Sequence, residues 1–192
     1  MKTTLITILA VFLTTSAFAQ EIRISVSPTM NNAFYFKPVD GAPAYYWRSG
    51  FNACLGYHFK TDKRINLAVG LTYQNATINV DPFIPPLDDI PSYNESISLL
   101  SFSVGACYNF NSGFYATIDP LIHYQFDYQD NSTINQTGIG VSGGIGKKLS
   151  LKSNLLMNVE PKIWIHNLIP LQQENLPLRL MVAGINIGLI FK

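Results

Sequence analysis

Three histidines and a few charged residues are the side chains with which this sequence could build a catalytic or ion-conducting site. A hydrolytic site needs a nucleophile beside a histidine and an acidic group to orient the imidazole ring. On a strand, a serine two residues from a histidine would share its face. No serine lies two residues from His58, His123 or His166. The histidines therefore predict no catalytic centre, and we expect a protein that is not an enzyme.

Four charged residues are predicted to face the interior of the fold: Arg23, Asp119, Glu160 and Lys162. Charges in a low-dielectric interior must be paired. We expect a structural ion network in which the two cations meet the two carboxylates. A proton or ion path through the same residues is the alternative interpretation.

The two cysteines, Cys54 and Cys107, fall on the inner faces of two strands that are separated by a third. Their backbones are then about 10 Å apart, at ~4.8 Å per strand step. A disulfide requires Cα atoms within about 7 Å. We expect free thiols, with a disulfide as the alternative. The sequence predicts no metal site and no cofactor, since neither cysteine has metal-ligand spacing.

The elements that position these residues are strands. The last fifteen residues place Met181, Ala183, Ile185, Ile187, Leu189 and Phe191 on one face, and Val182, Gly184, Asn186 and Gly188 on the other. This period-two alternation predicts a strand. Glycine and asparagine would make a poor wet face for a soluble sheet. They suit the packed interior of a small barrel that has lipid on its other side.

Similar segments recur along the chain and predict eight strands, at about 21–27, 48–59, 65–77, 96–110, 114–128, 137–147, 151–166 and 178–192. The connections alternate between a few residues and longer stretches at about 28–47, 78–95, 129–136 and 167–177. Short turns at one rim and long loops at the other are typical of outer-membrane barrels. The fold class is therefore all-β: an eight-stranded antiparallel transmembrane β-barrel with short periplasmic turns and long extracellular loops. A soluble lipocalin-type barrel is the alternative.

The composition agrees with a membrane barrel, because 47% of the residues are hydrophobic and only 13% are charged. No segment after the N-terminal region approaches the ~18 consecutive apolar residues of a transmembrane helix. A net charge of +1 argues against a nucleic-acid partner. Lys2, an apolar run from Leu5 to Leu13 and the sequence Ala17-Phe18-Ala19 predict a cleaved signal peptide over residues 1–19. An uncleaved membrane anchor is the alternative. Residues 20–192 then form one barrel domain.

The long loops hold the remaining candidate site, a binding surface of aromatic and apolar side chains: Phe34, Tyr35, Phe36, Tyr45, Tyr46 and Trp47 in the first, and Phe83 and Ile84 in the second. Such groups dominate binding energy at protein interfaces. The alternative is a rigid cap that packs over the barrel mouth. An open pore is not expected, because side chains fill an eight-stranded barrel.

The Ala-Phe-Ala-Gln junction at residues 17–20, the eight amphipathic strands and the final segment Gly188-Leu189-Ile190-Phe191-Lys192 resemble the small outer-membrane β-barrel ("porin-like") domain family of Gram-negative bacteria. This resemblance implies a location in the outer membrane, contact with its lipid, and recognition by the barrel-assembly machinery during biogenesis. In family members that machinery often reads a C-terminal phenylalanine, whereas Phe191 is penultimate here.

These observations predict an integral outer-membrane barrel with a filled lumen and a structural or surface-interaction role, whose extracellular partner or ligand the sequence does not identify. One alternative is a narrow barrel that passes or binds small apolar solutes. A lipid-modifying outer-membrane enzyme is a further alternative, for which the sequence lacks the catalytic residues.

Overall fold

The computed structural model describes residues 20–37, 39–60, 64–82, 91–127, 135–171 and 177–192. The predicted signal peptide lies outside this range. The described strands are β1 (Gln20–Phe34), β2 (Ala44–Tyr46), β3 (Arg48–Lys60), β4 (Ile65–Asp81), β5 (Tyr93–Asn109), β6 (Phe114–Gln125), β7 (Gly138–Lys152), β8 (Leu155–Pro170) and β9 (Arg179–Phe191). Within this part of the chain, no helix is long and apolar enough to cross a membrane.

Eight of the strands close into an antiparallel barrel in the order β1-β3-β4-β5-β6-β7-β8-β9, and β9 pairs again with β1. The short strand β2 adds to the outer end of β4, where Ala44 lies opposite Asp81. Closure leaves no unpaired edge in the wall, which a structure surrounded by lipid requires. The predicted fold class is confirmed, with β2 as an additional element within the first long connection.

The connections β3–β4, β5–β6 and β7–β8 lie at one end of the barrel, the short-turn rim, and the longer connections lie at the other, the long-loop rim. The β5–β6 connection shows why a short turn works there. Ser112 and Gly113 both have positive φ, of 67° and 80°. The Phe110 amide then donates to the Phe114 carbonyl over 2.8 Å and closes the hairpin.

Several predicted strand ends were wrong, and the largest error was at β1. This strand does not end at residue 27 but continues to Phe34, through the first third of the predicted loop 28–47. Pro28 had suggested a turn. In the structure Pro28 lies opposite Phe51 inside the β1–β3 ladder. Pairing with β9 continues beyond it as far as Phe34 and Arg179, so the ladder overrides the local turn preference of proline.

Extended pairing also explains the errors at β4, β5 and β7. β4 and β5 extend into the predicted loop 78–95, because pairing continues to Val80 and Tyr93. β7 continues through the predicted turn near residues 147–150, where Ser150 pairs with Leu156. β8 starts later than expected and ends beyond residue 166, whereas β6 ends before residue 128.

The two faces of the wall differ in polarity as predicted. On β1 the side chains of Arg23, Ser25 and Thr29 are buried in the lumen, whereas Ile24 and Val26 are exposed on the outer wall. The outward strip continues around the barrel with large apolar residues such as Leu55, Leu71, Phe102, Val104, Ile122 and Ile187. At the short-turn rim the outward side chains become aromatic, with Tyr57 against Phe59 and Tyr108 against Phe110. This is the exterior of a barrel that sits in a bilayer.

The face assignment predicts that Val104→Arg strongly impairs membrane assembly. Val104 is 53% exposed on the outer wall, and arginine near the bilayer midplane costs ~2–4 kcal/mol. The adjacent lumenal change Ser103→Asn is the matched control, and we expect it to be far milder. The fraction folded into lipid vesicles, read from heat-modifiable gel migration, measures both. Equal assembly of the two variants would contradict the assignment.

Candidate functional site

The lumen near the short-turn rim is occupied by an ionic cluster. The carboxylate of Glu21 accepts from Lys148 Nζ at 3.0 Å and from Arg23 Nη2 at 3.4 Å. The Arg23 guanidinium also lies over the ring of Tyr115, 4.9 Å from its centroid. Glu21 and Lys148 were not among the predicted ion network. Glu21 is on the same alternating face as Arg23, and this was the available signal for it.

Farther along the lumen, Lys162 Nζ lies 2.6 Å from Asp119 Oδ2. Asp119 also accepts from the hydroxyl of Ser142. Glu160 accepts from Thr117 Oγ1 at 2.6 Å and from the hydroxyl of Tyr115 at 3.4 Å. The structure therefore brings Lys162 and Asp119 together, and it places Glu160 among hydroxyl donors. Contrary to the predicted pairing, Arg23 contacts Glu21 rather than Asp119 or Glu160, because Glu21 is two residues away on the same face.

Tyr115 lies between the Glu21–Arg23 cluster and Glu160, and it contacts both. Its side chain is completely buried. Its hydroxyl accepts from Asn158 Nδ2 and donates to Glu160. Its ring lies directly over Gly146, where a Cβ atom would overlap the ring atoms. A glycine at this point of β7 is thus what lets a large aromatic side chain cross so narrow a barrel.

A cavity of about 80 Å³ lies beside these charges. Several of its buried lining atoms have no hydrogen-bond partner within the described residues: Arg23 Nε, His58 Nδ1, Ser101 Oγ, Asn158 Oδ1 and Asn186 Oδ1. Buried polar groups in a roomy cavity are satisfied by water in folded proteins. We therefore expect this part of the lumen to be hydrated.

A second polar group lies towards the long-loop rim. The Nε2 atom of His123 accepts from the Asn167 amide at 3.0 Å, and His166 Nε2 lies 3.1 Å from Gln74 Oε1. The two imidazole rings pack edge to face at 4.8 Å. The β7–β8 register shifts between Ile139 and Val141. The bulge on β8 turns His166 and Asn167, consecutive in sequence, both into the interior.

Asn167 holds the ends of two long connections inside the barrel. Its φ is 57°, which is uncommon for a residue other than glycine. Its Nδ2 donates to the carbonyls of Asn135 and Leu178. Gln136 Nε2 donates to the Leu178 carbonyl as well. Sequence reasoning missed this group, since a bulge that changes the inward register leaves no mark in an alternating pattern.

The rest of the lumen at the long-loop end is filled by apolar side chains. Their buried core consists of Ala33, Ala76, Ile78, Val80, Ile97, Leu99, Leu121, Trp164, Leu178, Leu180 and Val182. We call this set the apolar plug. It was missed because residues 78–95 were interpreted as a loop, although Ile78 and Val80 continue the alternation of β4. The partly buried Tyr35 and Tyr45 pack against it.

The aromatic residues predicted to form a binding surface divide into two groups. Tyr35 and Tyr45 turn inward, with their hydroxyl oxygens 3.3 Å apart. Burial and the hydrogen bond to Tyr35 raise the pKa of Tyr45. These two residues belong to a cap rather than to a free surface. Phe34 is the last residue of β1, half-buried, and its ring packs against Phe36 at 5.5 Å.

Phe36, Tyr46 and Trp47 remain exposed at the long-loop rim. The Arg179 guanidinium lies over the Phe36 ring, 4.8 Å from its centroid. Phe83 and Ile84, the predicted contribution of the second loop, lie outside the described residues. The described part of the predicted surface is therefore reduced to three exposed aromatic side chains.

Both cysteines are free thiols inside the lumen. Cys54 lies opposite Thr72 and Cys107 opposite Asn66, six residues apart along β4. At about 3.3 Å per residue this separation is too large for a disulfide. Among the described residues, no group of three or more His, Cys, Asp or Glu side chains is arranged to hold a metal ion.

Comparison with solved structures places this architecture in a known class. OprG of Pseudomonas aeruginosa is 14% identical, with a TM-score of 0.52 over 91% of this chain and 95% of that one. Neisserial surface protein A is also 14% identical, with a TM-score of 0.55 over 89% of this chain and 96% of that one. Identity this low shows a common fold alone. The chain thus has the fold of the small outer-membrane β-barrel proteins. No protein-family model and no curated sequence matches the chain.

The lumenal ion pair provides a stability test. Lys162→Met leaves the carboxylate of Asp119 buried without its cation, and removing one partner of a buried pair costs about 3–5 kcal/mol. The double variant Lys162→Met/Asp119→Asn removes both charges, and we expect it to recover most of the loss. Urea unfolding in lipid vesicles measures the free energy of unfolding. Equal stability of the wild type and the single variant would contradict a structural role for the pair.

Proposed function

We propose that this protein is an outer-membrane barrel with a closed lumen and a non-enzymatic role in surface interaction. The observation that carries this proposal is the apolar plug. Ile78, Ile97, Leu99 and Leu180 are each 0% exposed, although they lie at the end of the lumen where a pore would open. An eight-stranded barrel has no width to spare for a passage around such a plug.

The apolar outer wall supports the location in the outer membrane of a Gram-negative bacterium, as does the fold shared with OprG and the neisserial protein. Export requires removal of residues 1–19 as a signal peptide. Insertion requires the barrel-assembly machinery, which then acts on the C-terminal strand β9. Outer-membrane lipid is the permanent partner of the exposed strip, and nucleic acid is not expected as a partner.

The hydrogen bonds of the histidines support a non-enzymatic role. His123 accepts a hydrogen bond from the backbone N–H of Asn167. His166 forms a hydrogen bond with the side chain of Gln74. His58 lines the cavity, and its strand position is opposite Glu21. In none of these contacts does a hydroxyl group of a serine face an imidazole nitrogen, as nucleophilic catalysis by a serine–histidine pair requires.

The alternative role, the binding of small apolar solutes, has one observation in its favour. An apolar groove of about 300 Å³ runs along the outer wall at β3 and β4, between Leu55, Tyr57, Val69, Leu71 and neighbouring residues. Its floor is Gly56 and Gly70, which lie opposite each other in the ladder. This groove faces lipid rather than the lumen, so an acyl chain of the bilayer is sufficient to fill it.

Planar-bilayer recording tests the closed lumen. We expect no steady channel of porin size from the wild type. Leu99→Ser/Leu180→Ser places two hydroxyls in the apolar plug, and we expect it to raise the passage of small ions, because a hydrated gap replaces a dry contact. The control is Leu100→Ser, which alters an exposed residue of the outer wall next to Leu99. A large and steady conductance from the wild type would contradict the closed lumen.

The exposed aromatic side chains test the surface role. Cells that display the wild type are expected to adhere to hexadecane droplets more than cells that display Phe36→Ser/Tyr46→Ser/Trp47→Ser, because three apolar contacts are lost. Folding should be unchanged, since these residues are outside the barrel ladder or at its outer edge. Tyr35→Phe/Tyr45→Phe is the control and should retain adhesion, because it alters only the buried pair of hydroxyls. Equal adhesion of the triple variant and the wild type would argue against an aromatic binding surface.

A further inference from the structure

Among the residues that the structure describes, the short-turn rim carries an excess of positive charge. Lys60, Arg64, Lys147 and Lys152 are all exposed at this end of the barrel. The one described acidic residue near it, Glu21, is 2% exposed and already paired with Lys148 and Arg23. The long-loop rim has no such excess within the described residues, since exposed Asp40 and Asp81 accompany exposed Lys37 and Arg48.

Two of the four cations contact aromatic side chains of the outer wall. Lys147 Nζ lies 5.0 Å from the centroid of the Phe114 ring. Arg64 Nη1 donates to the hydroxyl of Tyr108 at 3.4 Å. Within the described residues neither cation forms an ion pair with a carboxylate. Both cations thus contact lipid-facing groups, and no carboxylate of the described residues neutralises them.

The barrel register makes these residues one continuous surface. Arg64 directly precedes β4, whose first residue, Ile65, pairs with Tyr108 of β5. Phe114 of β6 pairs with Lys147 of β7. Phe110 lies between them and packs against Tyr108 at 5.0 Å. We call this surface the basic-aromatic sector: Arg64, Tyr108, Phe110, Phe114 and Lys147.

We propose that the basic-aromatic sector binds anionic phospholipid headgroups, of the phosphatidylglycerol type, in the leaflet at the short-turn rim. This inference rests on the proposed membrane location. Aromatic side chains sit at headgroup level in membrane proteins. Guanidinium and ammonium groups at that level meet the phosphodiester, and each basic side chain near an anionic lipid surface contributes about a fivefold preference. Charge complementarity and continuity with the lipid-facing wall therefore both indicate the same occupant.

Fluorescence quenching by brominated lipid tests the inference. The reporter is Phe114→Trp in a Trp47→Phe background. The other tryptophan, Trp164, is 3% exposed inside the lumen and is shielded from lipid. The protein is reconstituted in phosphatidylcholine vesicles that contain either brominated phosphatidylglycerol or brominated phosphatidylcholine. With two cations in the sector, we expect the anionic lipid to occupy the site about 25-fold more effectively. The preference should decline in 1 M salt, where the Debye length is about 3 Å.

The matched variants identify the residues responsible. Arg64→Gln/Lys147→Gln should reduce the preference to about one, in proportion to the charge removed. Lys37→Gln/Arg48→Gln removes the same charge at the opposite rim and should leave it unchanged. Quenching by both lipids without preference would overturn the lipid-binding inference and leave the membrane location standing. Quenching by neither would overturn both. A preference that survives in Arg64→Gln/Lys147→Gln would overturn the assignment to this sector.

Discussion

The closed hydrogen-bond ladder is the constraint on which the rest of the structure depends. Lipid offers no partner to a backbone amide or carbonyl, so every strand in the wall must pair on both sides. Eight strands meet this requirement, with β9 returning to β1. The same requirement explains why β1 passes through Pro28 without ending. An early end at that point would have left the upper part of β9 without a partner.

Closure at eight strands creates a second requirement, which is to fill a narrow interior. The two ends of the lumen are filled by different kinds of side chain. Near the short-turn rim, Tyr115 crosses over Gly146 and is surrounded by charges that satisfy one another or border a cavity. At the long-loop end, the apolar side chains of the plug fill the lumen, and Gln136 and Asn167 bond the backbone of Leu178 beside them. The polar part needs water or ion pairs to be stable, whereas the plug is stabilised by apolar burial.

The exterior also differs between its two ends, and this difference is electrostatic. Basic side chains at the short-turn rim are held by outward aromatic residues, while charges of both signs occur at the long-loop rim. The aromatic side chains of the long-loop rim divide between an inward pair, Tyr35 and Tyr45, and an exposed group around Phe36. The two ends of the wall therefore present different chemistry: basic and aromatic side chains at one rim, and mixed charge with exposed aromatic side chains at the other.

The sequence by itself determined the fold class, the inward and outward faces and the rim at which each connection lies, because all three follow from period-two alternation and the spacing of turns. It placed Arg23, Asp119, Glu160 and Lys162 on the inner face for the same reason. Tertiary structure decided how these charges pair. Arg23 pairs with Glu21, which is two residues away on the same face of β1, rather than with Asp119 or Glu160. It also decided where strands end, which depends on partners far away in the chain. The apolar plug and the inward turn of Asn167 arise only when the ladder closes, because a bulge and an extended register are properties of paired strands rather than of any one segment.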